Sequence, residues 1–461
     1  MTLALLLLAV VAPAAAPAPA APRTLRLDLV HAGRSTEERL VYDGLAREGP
    51  WPGNPARPID DTNLGKYLFE VRDRATNRLL YSRGFASIYG EWETTEEAGR
   101  GWRAFHESLR FPEPAAPVQL AVRKRGGDGL FRELWTMGVD PADPAIDRSE
   151  PAGRAWAVLE NGPPAEKLDL VLLGDGYTAA EMDKWHADAR RLTDILFSVS
   201  PFKERKSDFN VWAVDTPSPE SGVSRPSDGV YRRSALRAAY DAFGSERYVL
   251  AFDDRRVREA AAAAPYDVME IVVNGRKYGG GGIFNLYATV ASDNAFTPYV
   301  FVHEFGHHFA GLADEYYTSD VAYGPAGHAR PEPWEPNVTA SASAPKWKDL
   351  VTPGTPLPTP WSKAAFEAAE KEIQARRRKI RAEKRPEEEM EALFREEQRR
   401  MDALLGEGAY ARAVGAFEGA MYEAAGYYRA QANCIMFTRS NAFCAACRRA
   451  IERVIDLYAT R

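Results

Sequence analysis

The chain has 461 residues, 45% of them hydrophobic and 27% charged, with a formal net charge of -6. That length has room for two or three globular domains. The negative balance removes the electrostatic basis for binding nucleic acid or an anionic membrane.

Residues 3–12 form a short apolar run, followed by an Ala/Pro stretch that ends at Pro22. An apolar core closing on small residues is the pattern of a secretory signal peptide, and it is shorter than the roughly 20 residues a membrane span needs. Residues 1–22 are therefore read as a signal peptide and the rest as a secreted or periplasmic protein. The run departs from the pattern in having no Lys or Arg before it, and no Cys follows it that would carry a lipid. No other segment reads as a membrane span.

Residues 23–145 read as β structure. Leu25, Leu27 and Leu29 alternate with polar residues, as in a half-buried strand. Segments 67–71 and 79–82 flank a polar turn, and segments 118–124 and 130–136 flank Gly126-Gly127-Asp128-Gly129, a hairpin signal. Several short strands without helices predict an antiparallel β-sandwich. The Pro/Asp-rich stretch at 141–151 reads as a linker.

From 155 to 461 the pattern is α/β. Buried strands are expected at 168–173, 209–214, 248–252, 268–273 and 286–291. Thr178-Ala179-Ala180-Glu181 is a capping box that starts a helix running to about residue 198. Residues 362–405 are dominated by Lys, Arg and Glu, with Phe366, Ile373 and Ile380 seven residues apart, then Phe394 and Met401, and Pro386 between the two sets. This predicts a charged insertion of two helices broken near Pro386, with narrow apolar seams and otherwise solvated faces.

The chemistry concentrates in residues 297–311. Thr297 fits an N-cap, Pro298 the first helical position and Gly311 a left-handed C-terminal stop. A helix between them sets His303 and His307 one turn apart on one face, a spacing that lets two imidazoles share one Zn²⁺. Glu304 then lies beside the metal, placed to take a proton from its water. With only seven His in the chain, a chance occurrence of this motif is rare. His308 points away and is expected to support the site or lie exposed. A third ligand is expected past the helix end, from Asp314 or, as the alternative, Glu315. Met436 offers an apolar floor beneath the metal.

Cys434, Cys444 and Cys447 are the only cysteines. In an exported protein they suggest one disulfide and one free thiol. Cys444 and Cys447 have knuckle spacing, but a structural zinc needs four ligands and the sequence shows no fourth nearby. Gly174-Asp175-Gly176-Tyr177-Thr178-Ala179 fits a dinucleotide fingerprint, although the next acidic strand end, Asp215, lies about twice as far on as the usual ~20 residues.

Residues 172–178, the segment 274–280 ending in Tyr278-Gly279-Gly280, residues 303–317, and residues 415–420 through Cys434-Ile435-Met436 to Cys447 together resemble the IgA-specific metalloendopeptidase family. The resemblance covers most of the chain apart from 362–405. It implies an exported zinc endopeptidase with a zincin-like catalytic domain behind an N-terminal sandwich, His303 and His307 as ligands, Glu304 as catalytic base, and a protein or peptide substrate. It does not imply that immunoglobulin A is cleaved. Substrate is expected to lie along the 286–291 strand as a free sheet edge, with Gly279 to Gly282 allowing close approach. Tyr428 is the candidate oxyanion donor. The competing reading is an adhesive sandwich joined to an inactive zincin domain. Oligomeric state is not legible.

Overall fold

The computed structural model describes residues 22–318 and 331–460; the expected signal segment therefore lies, but for Pro22, outside the described residues. No helix among the described residues is long and apolar enough to cross a membrane.

The N-terminal part is two antiparallel sheets face to face. Arg23–Arg34 is flanked by Glu37–Pro50 and Arg103–Pro112 in one, and Leu79–Phe85, Tyr67–Asp73, Val118–Arg125 and Phe131–Val139 lie in that order in the other. The alternation that marked Leu25, Leu27 and Leu29 turns them inward onto Phe69, Val71, Leu120 and Val122. Two short helices, Ile88–Trp92 and Glu96–Arg100, interrupt what the sequence read as strand alone. Each is started by a side-chain cap, Ser87 onto Gly90 N–H and Thr95 onto Ala98 N–H.

A six-stranded mixed sheet follows, in the order Gly280–Ile283, Tyr287–Ala291, Val268–Val273, Leu168–Asp175, Phe209–Asp215, Arg154–Leu159. Its four inner strands are parallel and both edges antiparallel. All eight residues of Leu168–Asp175 are buried, as a strand covered on both faces requires. Trp185, Leu192, Phe301 and Phe305 from two helices cover one face; Val257 and Ala261 of the Asp254–Ala261 helix cover the other. The sandwich docks beside this second face, where Asp254 accepts from Ser108 N–H at 2.8 Å and Tyr266 C=O accepts from Arg110 Nη1 at 2.7 Å.

Thr178 and Glu181 form the expected capping box, passing through one 3-10 turn into the helix Met182–Leu196. The segment 248–252 is not a strand. Tyr248 bridges Gly280 while Leu250 bridges Ala239, so its hydrogen bonds go to two different neighbours and no ladder forms. Lys363–Ala382 and Glu387–Gly406 are the paired helices, broken at Pro386, and Phe366, Ile373, Ile380, Phe394 and Met401 are buried as their spacing predicts. The pair is not a merely solvated insertion. Phe394 meets Tyr278 and Phe296 at ring distances of 5.0 and 5.5 Å, and Glu391 accepts from Ala295 N–H at 3.1 Å, beside the start of the histidine helix.

Candidate active site

The histidine helix spans Thr297–Ala310. It begins one residue earlier than expected: Phe296 is the cap, and Thr297 is already helical, its hydroxyl donating to Ala291 C=O at 2.7 Å. The other end is as expected, with Gly311 in the left-handed region at φ 59°. Phe305 and Phe309 stack on each other and fix the buried side against Phe202.

The turn at Gly311 carries the chain back beneath its own helix and delivers Asp314. Its Oδ1 lies 3.2 Å from His303 Nε2 and 3.2 Å from His307 Nε2, and the two Nε2 atoms are 3.1 Å apart. The far ring nitrogens are held by backbone: His303 Nδ1 by Ile435 C=O at 2.9 Å, His307 Nδ1 by Leu312 C=O at 2.5 Å. A carbonyl only accepts, so each Nδ1 carries a proton and each Nε2 is left turned toward Asp314. Tyr422 donates its hydroxyl to the other carboxylate oxygen of Asp314.

Charge follows this geometry. Burial alone would raise the Asp314 carboxyl, but the facing imidazoles hold it well below its ordinary value. Burial would also lower His307, and Asp314 instead pushes it up to about 9. Glu304 is raised, first by loss of solvation and then by Asp314, with His303, His307 and Arg247 pulling back. Behind it Glu270 is fully buried with neither carboxyl oxygen hydrogen-bonded, and burial with Glu304 nearby drives its pKa well above normal.

Several expectations move. Glu315 is not at the histidines: it is buried among the cysteines and accepts from Asn337 Nδ2 at 3.0 Å. His308 is buried rather than exposed; it bonds Ile283 C=O through Nδ1 at 3.1 Å and receives Met269 N–H at Nε2 at 3.3 Å, tying helix to sheet, and burial pushes it down to about 3. Met436 does lie under the helix, its Sδ 3.3 Å from where a Cβ on Gly306 would stand. The 286–291 strand is not a free edge, because Gly280–Ile283 pairs along it. At Gly280 the outer side of that strand is itself closed by Arg247 C=O and Val249 N–H.

Tyr428 sits in Glu423–Arg429, opposite Thr339 and Glu418, and no described contact joins it to the histidines. The tyrosines that reach the cluster are Tyr422; Tyr299, with its hydroxyl 3.3 Å from His303 Nδ1; and Tyr316, whose ring stacks 6.4 Å from that of His303. Tyr422 arrives through a two-residue hairpin, Met421-Tyr422, with both φ values positive at 51° and 63°. That hairpin is stitched to the Asp314 segment by Met421 N–H to Asp314 C=O and Tyr422 N–H to Tyr316 C=O, each 3.0 Å.

The fingerprint at 174–179 is spent on the fold. Asp175 accepts from Leu236 and Ala238 N–H and from Ser234, Gly176 N–H donates to Ser218, and a Cβ on Gly176 would stand 2.6 Å from Gly222 C=O. Two amides that would face a phosphate, Gly176 N–H and Thr178 N–H, are thereby committed to Ser218 and Glu181. All three cysteines are unbonded, so the expected disulfide is absent from the structure.

A mixed sheet backed by a helix with two inward histidines and a returning carboxylate gathers donors of the kind that hold a metal. The family model described as IgA Peptidase M64 matches residues 157–455, and the one described as Peptidase M64 N-terminus matches residues 18–136. The chain belongs to the M64 peptidase family. No curated protein matches it.

Proposed function

We propose that this peptidase is an exported zinc-dependent endopeptidase, with His303, His307 and Asp314 as metal ligands and Glu304 as general base. The observation that carries the reading is the convergence of two imidazole nitrogens and one carboxylate oxygen within 3.2 Å of one another, next to a carboxyl with a raised pKa. The set fits the group: two imidazoles, whose Nε2 atoms would give up any proton to a metal, and a carboxylate, each braced by a second hydrogen bond, are a catalytic zinc's usual three protein ligands. When bound, zinc lowers the pKa of a coordinated water and polarises the scissile carbonyl.

The chain's own residues supply the rest. Glu304 accepts the water proton on its carboxylate and returns it to the leaving amine. Tyr316, which accepts from Arg247 Nη2 at 3.1 Å, takes the place Tyr428 was expected to fill, its hydroxyl polarised by the guanidinium and able to donate to the developing oxyanion. Alternation along the edge strand puts Gly282 on the same outward side as Gly280, so a substrate backbone would pair at Gly282. The family's name comes from one substrate, and nothing in this site selects immunoglobulin A.

The test is Glu304→Gln, assayed for zinc content and for cleavage of a proteome-derived peptide library. Retained zinc with activity lower by several orders of magnitude supports the reading. Full activity, or loss of the metal, removes Glu304 from the role of base. A wild-type chain that binds no zinc and cuts no peptide would favour the adhesive alternative.

A further inference from the structure

Cys434, Cys444 and Cys447 come together without bonding. Cys444 Sγ is 3.4 Å from Cys447 Sγ, and Cys434 Sγ is 3.8 Å from Cys447 Sγ. A disulfide holds its sulfurs at about 2.05 Å. The fourth member is Glu315, whose Oε1 lies 3.4 Å from Cys447 Sγ and 3.7 Å from Cys444 Sγ. One donor atom from each of the four lies within 4.8 Å of the others, and all four residues are buried, none more than 2% exposed.

These are the separations that a common small cation imposes. With zinc–sulfur bonds of about 2.3 Å, tetrahedral geometry sets neighbouring sulfurs about 3.8 Å apart. The local chain fits as well. Cys444 caps the last helix, Ala445–Tyr458, and Cys447 falls in its first turn, a two-residue spacing that lets both thiolates face one point. Glu315 also has an idle donor: Oε2 is buried without a hydrogen bond, which is costly for a carboxylate unless something else satisfies it. Arg429 completes the balance. It is fully buried, stacked 3.7 Å over Phe437 and 4.3 Å over Trp361, and it acts on Glu315 as a counter-charge. Three thiolates and a carboxylate around a divalent ion leave an excess of two negative charges, of which Arg429 offsets one.

We propose that Glu315, Cys434, Cys444 and Cys447 form a second, structural zinc site. Four protein donors with no open position are the mark of a structural site, and thiolate donors select a soft ion such as zinc over calcium or magnesium. The site ties together the segment that carries Asp314, the loop that carries Ile435 and Met436, and the C-terminal helix. Glu315 N–H donates to Met436 C=O at 2.8 Å in the same place. The ion therefore holds Asp314 and the carbonyl behind His303 in one frame, without touching substrate.

The test uses the full chain, as wild type and as His303→Ala/His307→Ala, purified without reductant or chelator. Metal analysis is combined with zinc K-edge absorption and with release of zinc by a mercurial thiol reagent. Two zinc ions per wild-type chain and one in the double variant, that one with sulfur neighbours at about 2.3 Å and freed as the thiols react, support the site. One ion in both proteins, with sulfur neighbours, also supports it and would instead refute zinc at the histidines. A folded double variant that holds no zinc overturns the proposal, as does a disulfide between any two of the cysteines in non-reducing mass spectrometry. Should the double variant not fold, absence of sulfur neighbours in the wild type overturns it equally.

Discussion

Tyr422 donates its hydroxyl to one carboxylate oxygen of Asp314, leaving the other to face His303 and His307. The bond chooses which oxygen is presented and stops the carboxylate rotating. Removing such an outer partner commonly costs a metal site about 10–100-fold in affinity. Tyr422→Phe should keep the fold and lose zinc affinity in that range, read by competition with a chelator of known strength. Wild-type affinity in the variant would mean that the hairpin alone positions Asp314.

Asp314 and Glu315 are neighbours in sequence that face different clusters, Asp314 the histidines and Glu315 the cysteines. Asp314→Ala should strip metal from the histidine pair and abolish peptide cleavage. Glu315→Ala leaves all three proposed ligands of that pair in place, so at saturating zinc it should retain measurable cleavage. The two variants are compared by activity across a zinc-buffered series. A Glu315 variant that loses activity at every zinc level, beside an active Asp314 variant, would exchange their roles.

Much of this was legible because periodicity reports burial and spacing reports geometry. The four-residue step from His303 to His307 needs only a helix to become a shared face, and Gly311 marks where that helix stops. The search for a third ligand near that stop narrowed to Asp314 or Glu315, and it is Asp314 that the fold sets beside the histidines. What stayed hidden depended on contacts between distant segments. Glu315 and Cys447 are 132 residues apart in the chain and meet only through the fold. Tyr422 was hidden for a different reason. Turns with two positive φ values usually declare themselves as Asn-Gly or Asp-Gly, and here Met421-Tyr422 takes that backbone, held by its bonds to the Asp314 segment. Strained backbone of this kind is concentrated at functional sites. The edge strand was misplaced because a glycine run has no side-chain pattern to read.

Gly282 lies where the edge strand crosses the histidine helix. A Cβ there would stand 2.2 Å from Glu304 C=O and 3.0 Å from His307 Cβ. Backbone cannot swing aside as a side chain can, so Gly282→Ala must push strand and helix apart. A cost of about 1–3 kcal/mol is expected from such overpacking, with a larger fractional loss of kcat/KM because Glu304 and His307 move with the helix. Gly99→Ala is the control: nothing stands within 4 Å of its Cβ, and it lies in a short surface helix. Equal activity and equal urea midpoints in the two variants would show that the crossing tolerates a methyl group.

His31 should make the N-terminal sandwich sensitive to pH. The ring is 1% exposed and stacked 4.0 Å from Tyr89, with Nδ1 2.6 Å from Glu107 and Nε2 3.0 Å from Glu38. Burial pulls its pKa down, but the two carboxylates outweigh burial and raise it above 6.5. A raised histidine stabilises the folded state fully below its unfolded pKa, and that contribution disappears as pH climbs through the folded value. Glu38 works from the other side: burial would raise it, yet His31 and Lys124 lower it from 4.5 to about 2, so its contribution is present above 4.5 and fades as pH falls toward 2. The pairing is therefore complete between these limits and weakens in alkali. Urea midpoints at about pH 6 and about pH 9 should fall more for the wild type than for His31→Gln, which has no proton to lose in that range. A variant whose midpoint falls by as much as the wild type's would mean that His31 is neutral across the whole interval.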